Sequence, residues 1–468
     1  RGVVEQEGTV SRVFAHADRL VSLSDRRLQT VDATNLDKPR TTGSLELARD
    51  VSDFALVGGY AVTLSTPGWY GAAQQSELRV ASPAAPEDAV VGRLTLPFYA
   101  QRLVSDGTRL VVLGYPMTWD GSVVAATVDL ADPSSPVLSR TNALGRNSDD
   151  RHSESLYFQA ARLVAGKLVV PAWTASVDDS GRWTSSSSLL VLDAATGESG
   201  RIDLPGTMAG DLVADGGTLW ASHSESVGQA GTQPLSKFFA DRLDLSDAKH
   251  PAVGAAVNVP GTLVGVAGDT LFTRDYRWAA DGHVEHALAE LTLSGGRAVL
   301  RTYLPVDEGL GRILVDGRRL YATTQPWWWS NTAANGVTLK TYASTDAAGL
   351  AELSSVAVND WVQLRDLAGG HLFLGNGYWG GPWDYGLYAP MAKSSGVADG
   401  AASRGTSDVA GRYAPASGLV DFSLADPDHP AFRQSLRTNG WVQGLAVDNG
   451  TLYVSSGIYG IQKALLTP

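Results

Sequence analysis

Short apolar runs, many of them alternating with polar residues, recur from one end of the chain to the other. Nine times an apolar run is followed by a tight turn and a second apolar run. The turns are Ala17-Asp18, Gly58-Gly59, Asp106-Gly107, Ala165-Gly166, Asp215-Gly216-Gly217, Gly268-Asp269, Asp316-Gly317, Gly369-Gly370 and Asp448-Asn449-Gly450. Asp-Gly and Gly-Gly pairs between β-rich runs predict hairpins, because such turns need positive φ. The commonest spacing, about 50 residues, is that of a propeller blade or a solenoid unit.

Each unit reads as four strands, A to D. In the first they are Val10–His16, Arg19–Ser24, Arg27–Val31 and Thr41–Leu47. Strand C often ends in Asp and Pro: Asp32, Asp37 and Pro39; Asp129, Asp132 and Pro136; Asp244, Asp247 and Pro251; Asp426 and Pro430. Asp accepts backbone N–H bonds and closes a local turn, while Pro cannot continue a sheet ladder. The pair stops strand C and returns the chain as strand D.

The chain ends favour a ring over an open stack. Residues 441–466 read as A, B and C without D, and Gly2–Glu7 sits where a D strand would precede the first A. Together they would make one blade, removing exposed sheet edges. The expected fold is therefore all-β: a single closed β-propeller of four-stranded antiparallel blades, with the N-terminal strand completing the last. Nine blades are expected and eight are the alternative. The units are approximately 10–47, 48–97, 98–145, 150–206, 207–261, 262–306, 307–358, 359–440, and 441–468 with 1–9. A stretch rich in Ala, Gly and Ser, about 389–417, is expected to be a flexible insertion in the eighth unit, since such composition buries little apolar surface.

Thr127–Ser139, and Phe422–Phe432 followed by Gly444–Gly457, resemble the LVIVD repeat of bacterial surface and secreted propellers. More loosely, the chain is similar to secreted bacterial proteins with a C-terminal β-propeller distantly related to WD40. The resemblance implies the propeller fold and an exported location (periplasm, outer surface or extracellular). It brings no catalytic residues.

Composition narrows the functions. Apolar residues are 44% and charged residues only 18%, so Gly, Ser and Thr fill the surface of a turn-rich protein. The net charge of −12 and the lack of a Lys/Arg cluster argue against nucleic-acid binding. There are no cysteines, which excludes thiol catalysis and Cys–zinc sites. No apolar run is long enough for a transmembrane helix.

In a four-stranded blade the B–C and D–A connections share one face. The Asp-Gly and Asp-Pro turns occupy the other, which reads as scaffold. The first face gathers aromatic residues: Trp69, Tyr70, Trp119, Trp173, Trp183, Trp278, Trp327, Trp328, Trp329, Trp379 and Trp383 in B–C loops, with Trp361 and Trp441 opening A strands. Only Trp220 is expected within a strand. Tryptophan offers large rigid contact area and an N–H handle, so this face reads as a binding surface, although some indoles will cap blade ends. Aromatic-x-Gln triplets open four A strands and place Gln101, Gln159, Gln363 and Gln443 at the channel mouth. They would suit a neutral polar ligand, or else bond a neighbouring blade.

Catalytic signals are sparse. The G-x-S-x-G, H-E-x-x-H and P-loop motifs are missing. His283 and His286, three apart on a strand, point to opposite faces, so no metal site is expected there. His16, His250 and His429 fall at scaffold turns, and His223 is expected on the functional rim. Rim acids Asp120, Asp275, Asp360 and Asp384 are spread over three units. The leading expectation is a non-catalytic, cofactor-free module binding a protein, peptide or polysaccharide through the aromatic face. A glycan-acting hydrolase or lyase using that face, or a structural subunit of an oligomer or fibre, are the alternatives.

Overall fold

A computed structural model describes residues 2–6, 10–24, 27–46, 51–66, 75–82, 89–118, 122–146, 148–149, 152–177, 181, 183–230, 233–279, 283–306, 309–324, 337–358, 362–375, 418–438, 442–457 and 460–466. Among these residues the chain forms nine antiparallel sheets in sequence order, the all-β arrangement expected of propeller units. The first spans Val10–Glu46, the second Asp53–Thr95, the third Phe98–Arg146, the fourth Ser148–Asp203 and the fifth Thr207–Val259. The sixth spans Thr262–Val306, the seventh Leu310–Val358, the eighth Gln363–Arg437 and the ninth Gly444–Leu465. Six sheets have four strands; the fourth has six, the fifth five and the ninth three. The 3-10 turn Phe158–Ala160 is the only helical element among the described residues.

The hairpin turns form for the reason the sequence suggests. All nine contain a residue at positive φ, and three of those are not glycine: Ala17 at 52°, Ala165 at 48° and Asn449 at 46°. The Asp-Pro turns are tied by their own carboxylates. Thr34 N and Oγ1 both donate to Asp32, as Ser134 does to Asp132 and Ser246 to Asp244. These hydrogen bonds hold the three carboxyl groups below their usual range.

The Asp-Pro turns of sheets three and five also brace the sheet before them. A Cβ on Gly92 would stand 2.1 Å from Pro133 O, and one on Gly200 2.4 Å from Pro251 Cδ. Glycine is needed at both places because backbone and proline ring leave no room for a side chain.

Eight apolar clusters fill the gaps between successive sheets. One joins sheets two and three through Leu64, Leu78, Phe98 and Leu110. Another joins six and seven through Phe272, Leu288, Leu320 and Tyr342. The last closes the circuit by joining sheet nine to sheet two through Tyr453, Phe54 and Ala61. Here the Phe54 and Tyr453 rings stack at 6.0 Å, and Val51 N donates to Gly457 O at 2.9 Å. Among the described residues this seam has three buried apolar residues, whereas every other cluster has at least six. It is the thinnest contact in the ring.

The sheets therefore number nine, and eight of them, the second to the ninth, complete the packed circuit. The first sheet takes part in none of these clusters. Val31 is its only buried apolar side chain, and Val13, Phe14 and Leu45 are exposed. The expected N-terminal latch takes a different form. Residues 2–6 are not in a strand, and the last sheet keeps three strands. Gly2 N donates to Leu36 O, Gln6 Nε2 donates to Arg27 O at 2.8 Å, and Gly2 abuts Pro39. The segment thus takes the D-strand place against the first sheet's Asp-Pro turn, while Phe54 takes the face of sheet nine that a ninth blade would have met.

Candidate functional site

The inner side of every sheet in the circuit is formed by its opening segments, which in sheets four and five include the short strands Arg162–Val164 and Val213–Asp215, and the ring has one end where these segments begin. Three consecutive sheets carry long hairpins at that end. In the fifth, Thr218–Ala230 and Gln233–Asp244 pair with each other past Ser224, where the inner partner Thr207 stops. In the sixth, Thr270–Trp278 and Val284–Ser294 run past Arg274, the partner of Thr262. In the fourth, the hairpin is built from Lys167–Val177 and Trp183–Asp193. These long hairpins form a wall on one side of the mouth.

The wall carries exposed apolar groups. Val227 is 49% exposed, Leu235 45% and Trp278 37%. Beneath Trp278, Arg277 pairs with Glu285 at 2.7 Å and lies 5.5 Å over the Tyr303 ring. Tyr303 donates its phenol to Asp275 at 2.9 Å; burial, then that carboxylate, push its pKa up to about 12.

The sequence places Trp173, Trp183 and Trp278 in loops, but all three are in strands, because the B–C hairpins are longer than the turn signals suggest. Trp173 is half-buried opposite Ser155 and Ser187. Trp220 lies in a strand as expected, buried between sheets five and six. Trp69, Tyr70, Trp119, Trp327, Trp328, Trp329, Trp361, Trp379, Trp383 and Trp441 lie outside the described residues, as do Asp120, Asp360, Asp384 and the segment 389–417.

Gln101, Gln159, Gln363 and Gln443 are all exposed at the start of inner strands. Gln159 sits in the 3-10 turn rather than on a strand, so the alternation argument fails for it. With its amide nitrogen turned to the carbonyls it faces, Gln443 donates to Val51 O at 2.7 Å and Ser52 O at 3.2 Å. It is thus part of the seam between sheets nine and two.

His223 is not on the rim. It is 1% exposed, stacked on Phe239, with Nδ1 2.5 Å from Asp241 Oδ2. Burial pulls its pKa down, but the hydrogen bond and charge of Asp241, helped by Glu225, outweigh this and raise it. His371 and Asp421 repeat the arrangement at 2.8 Å in sheet eight. Both pairs stitch strand B to strand C inside a blade. His250 and His429 bond Asp247 and Asp426 within their Asp-Pro turns. Among the described residues no three His, Asp or Glu side chains are grouped to hold a metal ion.

Past the glutamines, the inner strands carry arginines that the sequence reading did not single out: Arg102, Arg162, Arg312 and Arg365. Arg102 reaches Asp53, buried on sheet two, at 3.0 and 3.2 Å, and Leu103 N donates to the same carboxylate at 2.7 Å. Arg312 Nη1 donates to Arg365 O at 2.6 Å. Arg162 Nη1 donates to Ala161 O at 3.0 Å. The available signal was an arginine one to three positions after three of the glutamines, at Arg102, Arg162 and Arg365. β-Bulges shift the offset from sheet to sheet and hide the repeat.

The architecture defines a β-propeller. No protein-family model matches the chain, and no curated protein matches it. Among solved structures, a protein from Lactobacillus plantarum is similar over 75% of this chain and 96% of its own, at 16% identity and a TM-score of 0.31. Hsv2 from Kluyvelomyces marxianus is similar over 75% of this chain and 99% of its own, at 10% identity and a TM-score of 0.33.

Proposed function

We propose that this propeller is a non-catalytic interaction module that holds a protein, peptide or polysaccharide at the end of the ring where its inner strands begin. The observation that carries the reading is the projecting wall of sheets five and six, on which Val227, Leu235 and Trp278 are exposed, together with the exposed Gln101, Gln159 and Gln363 on the opening segments of sheets three, four and eight. Apolar side chains held out on ordered hairpins and ringed by polar ones are what a docking surface requires. The resemblance of Thr127–Ser139 to LVIVD repeats supports a bacterial, exported setting for it.

Titration of the intrinsic tryptophan fluorescence against a panel of soluble polysaccharides and extended peptides tests the proposal. A saturable shift that is lost when Leu235→Ser and Trp278→Ala are combined supports it. No saturable shift with any member, or a shift unaffected by that double replacement, refutes it.

A further inference from the structure

We infer that the projecting hairpin of sheet six receives an extended peptide as an added β-strand, along the inner edge of Asp275–Trp278. The inference rests on the docking surface proposed above and names its partner. Sheet four shows the same arrangement completed by the chain itself. The inner edge of Lys167–Val177 is taken first by Arg162–Val164, opposite Lys167–Val169, and then by His152–Leu156, antiparallel to Ala172–Ser176. Between the two, Tyr157 N donates to Pro171 O at 2.9 Å, and Pro171 has no N–H to leave unmet at the changeover. An extended segment thus covers the part of this hairpin that stands beyond the inner strand.

In sheets five and six the corresponding lane is open among the described residues. The chain enters each inner strand at a glycine pressed against strand B. A Cβ on Gly206 would stand 2.1 Å from Ser224 O, and one on Gly261 2.1 Å from Arg274 O. Beyond these carbonyls no described residue pairs with the inner edge of either hairpin. The alternation of an antiparallel pair says which groups face the lane. Ala279 N donates to His283 O, so Arg277 and Asp275 exchange hydrogen bonds with Glu285 and Ala287. Tyr276 and Trp278 therefore turn their N–H and C=O groups to the lane. In sheet five Ala209 N donates to Ser222 O, so Ser226 does the same, but the bulge between Ser226 and Gly228 ends that lane early. Sheet six offers the longer one. Its side chains fit such a guest. Exposed Trp278 and half-buried Tyr276 share one face of the hairpin, and Arg277, Glu285 and Asp275 share the other. A strand of alternating apolar and polar residues would set its apolar side chains beside Trp278 and Tyr276 and its polar ones beside Arg277. A polysaccharide has no row of N–H and C=O groups at strand spacing, so the free edge selects a peptide.

Calorimetric titration with short peptides that alternate threonine with valine, leucine or tyrosine, and carry a lysine at each end, tests the inference. At least one should bind with a Kd of about 1 mM or tighter. The guest residues that bond Tyr276 and Trp278 lie directly opposite them, with side chains on the same face, so they are the apolar ones. N-methylation of the apolar residues should therefore abolish binding, and N-methylation of the threonines should leave it intact. Trp278→Pro removes the N–H that faces the lane and none that bonds the neighbouring strand, and should weaken binding by at least about tenfold. If that replacement disturbs the hairpin, the two methylated peptides carry the test on the unaltered protein. No binding by any unmethylated peptide, or equal binding by both methylated forms, overturns the inference. A response to soluble polysaccharides with none to peptides also overturns it, while leaving the docking surface standing.

Discussion

Glu290 is the buried charge on which the packing of sheets six and seven depends. Its side chain is fully buried. Oε1 accepts from Ser344 Oγ at 2.5 Å, Arg301 Nη1 at 3.1 Å and Arg318 Nη2 at 3.5 Å, and Oε2 accepts from Thr302 Oγ1 at 3.3 Å. Glu290→Ala removes the acceptor these donors share, although Arg318 keeps Ser344 Oγ and Asp346 and Arg301 keeps the Thr345 and Asp346 carbonyls. Breaking a buried ion pair by removing one partner costs about 3–5 kcal/mol. Arg301 and Arg318 remain 27% and 36% exposed and can recover water, so the lower end, about 3 kcal/mol, applies here. An unfolding entropy of about 2.1 cal/mol/K per residue over 468 residues is about 1 kcal/mol/K, so the melting temperature should fall by about 3 °C. Urea unfolding followed by tryptophan fluorescence should show a lower midpoint at unchanged slope. Glu290→Gln, which keeps an acceptor and the volume, should lose about half as much. A Glu290→Ala protein within about 0.5 kcal/mol of the parent would refute the reasoning.

Further outcomes follow from the turns and the buried histidine. Gly200→Ala should destabilise by about 1–3 kcal/mol, because the added methyl meets Pro251 and two carbonyls; calorimetry reads this, and an unchanged melting temperature contradicts it. Ala165→Gly should stabilise by about 0.5–1 kcal/mol by relieving a non-glycine residue held at φ 48°, measured as a higher denaturant midpoint. The His223–Asp241 pair should make stability pH-dependent. Since the folded pKa of His223 is raised, its contribution is complete below the unfolded value near 6.5 and disappears as pH rises through the folded one. The stability gap between the parent and His223→Gln should therefore shrink from pH 6 to pH 9, and a gap that widens with pH would contradict the assignment.

The units were legible because their signals are local. Ala165-Gly166 and Asp448-Asn449-Gly450 announce positive φ by composition, and Asp132 with Pro136 ends a strand by chemistry confined to a few residues. Closure was harder to read. Whether Tyr453 meets Phe54 or the first sheet depends on side chains more than 390 residues apart, and no local pattern encodes that choice. The site shows the same division. Gln101 and Gln363 were found because they follow an aromatic residue at a fixed offset. Arg162 and Arg312 were missed because nothing local relates them: Arg162 follows the 3-10 turn Phe158–Ala160, and Arg312 falls within a β-bulge. His223 was misplaced because its partner Asp241 lies on the adjacent strand, at a separation that the length of the hairpin alone determines.

The most direct test of the account is the seam between sheets nine and two, since it closes the ring whose one end carries the proposed docking surface. The chain has no cysteines, so paired replacements report proximity without background. Ser52→Cys with Gln443→Cys, joined by a short bismaleimide, should form an internal cross-link in high yield, because Gln443 reaches the Ser52 carbonyl at 3.2 Å. Glu5→Cys with Lys463→Cys, which would join if the N-terminal segment completed the last sheet, should remain separate. Cross-linking of the second pair and not of the first would contradict the closed circuit of eight sheets.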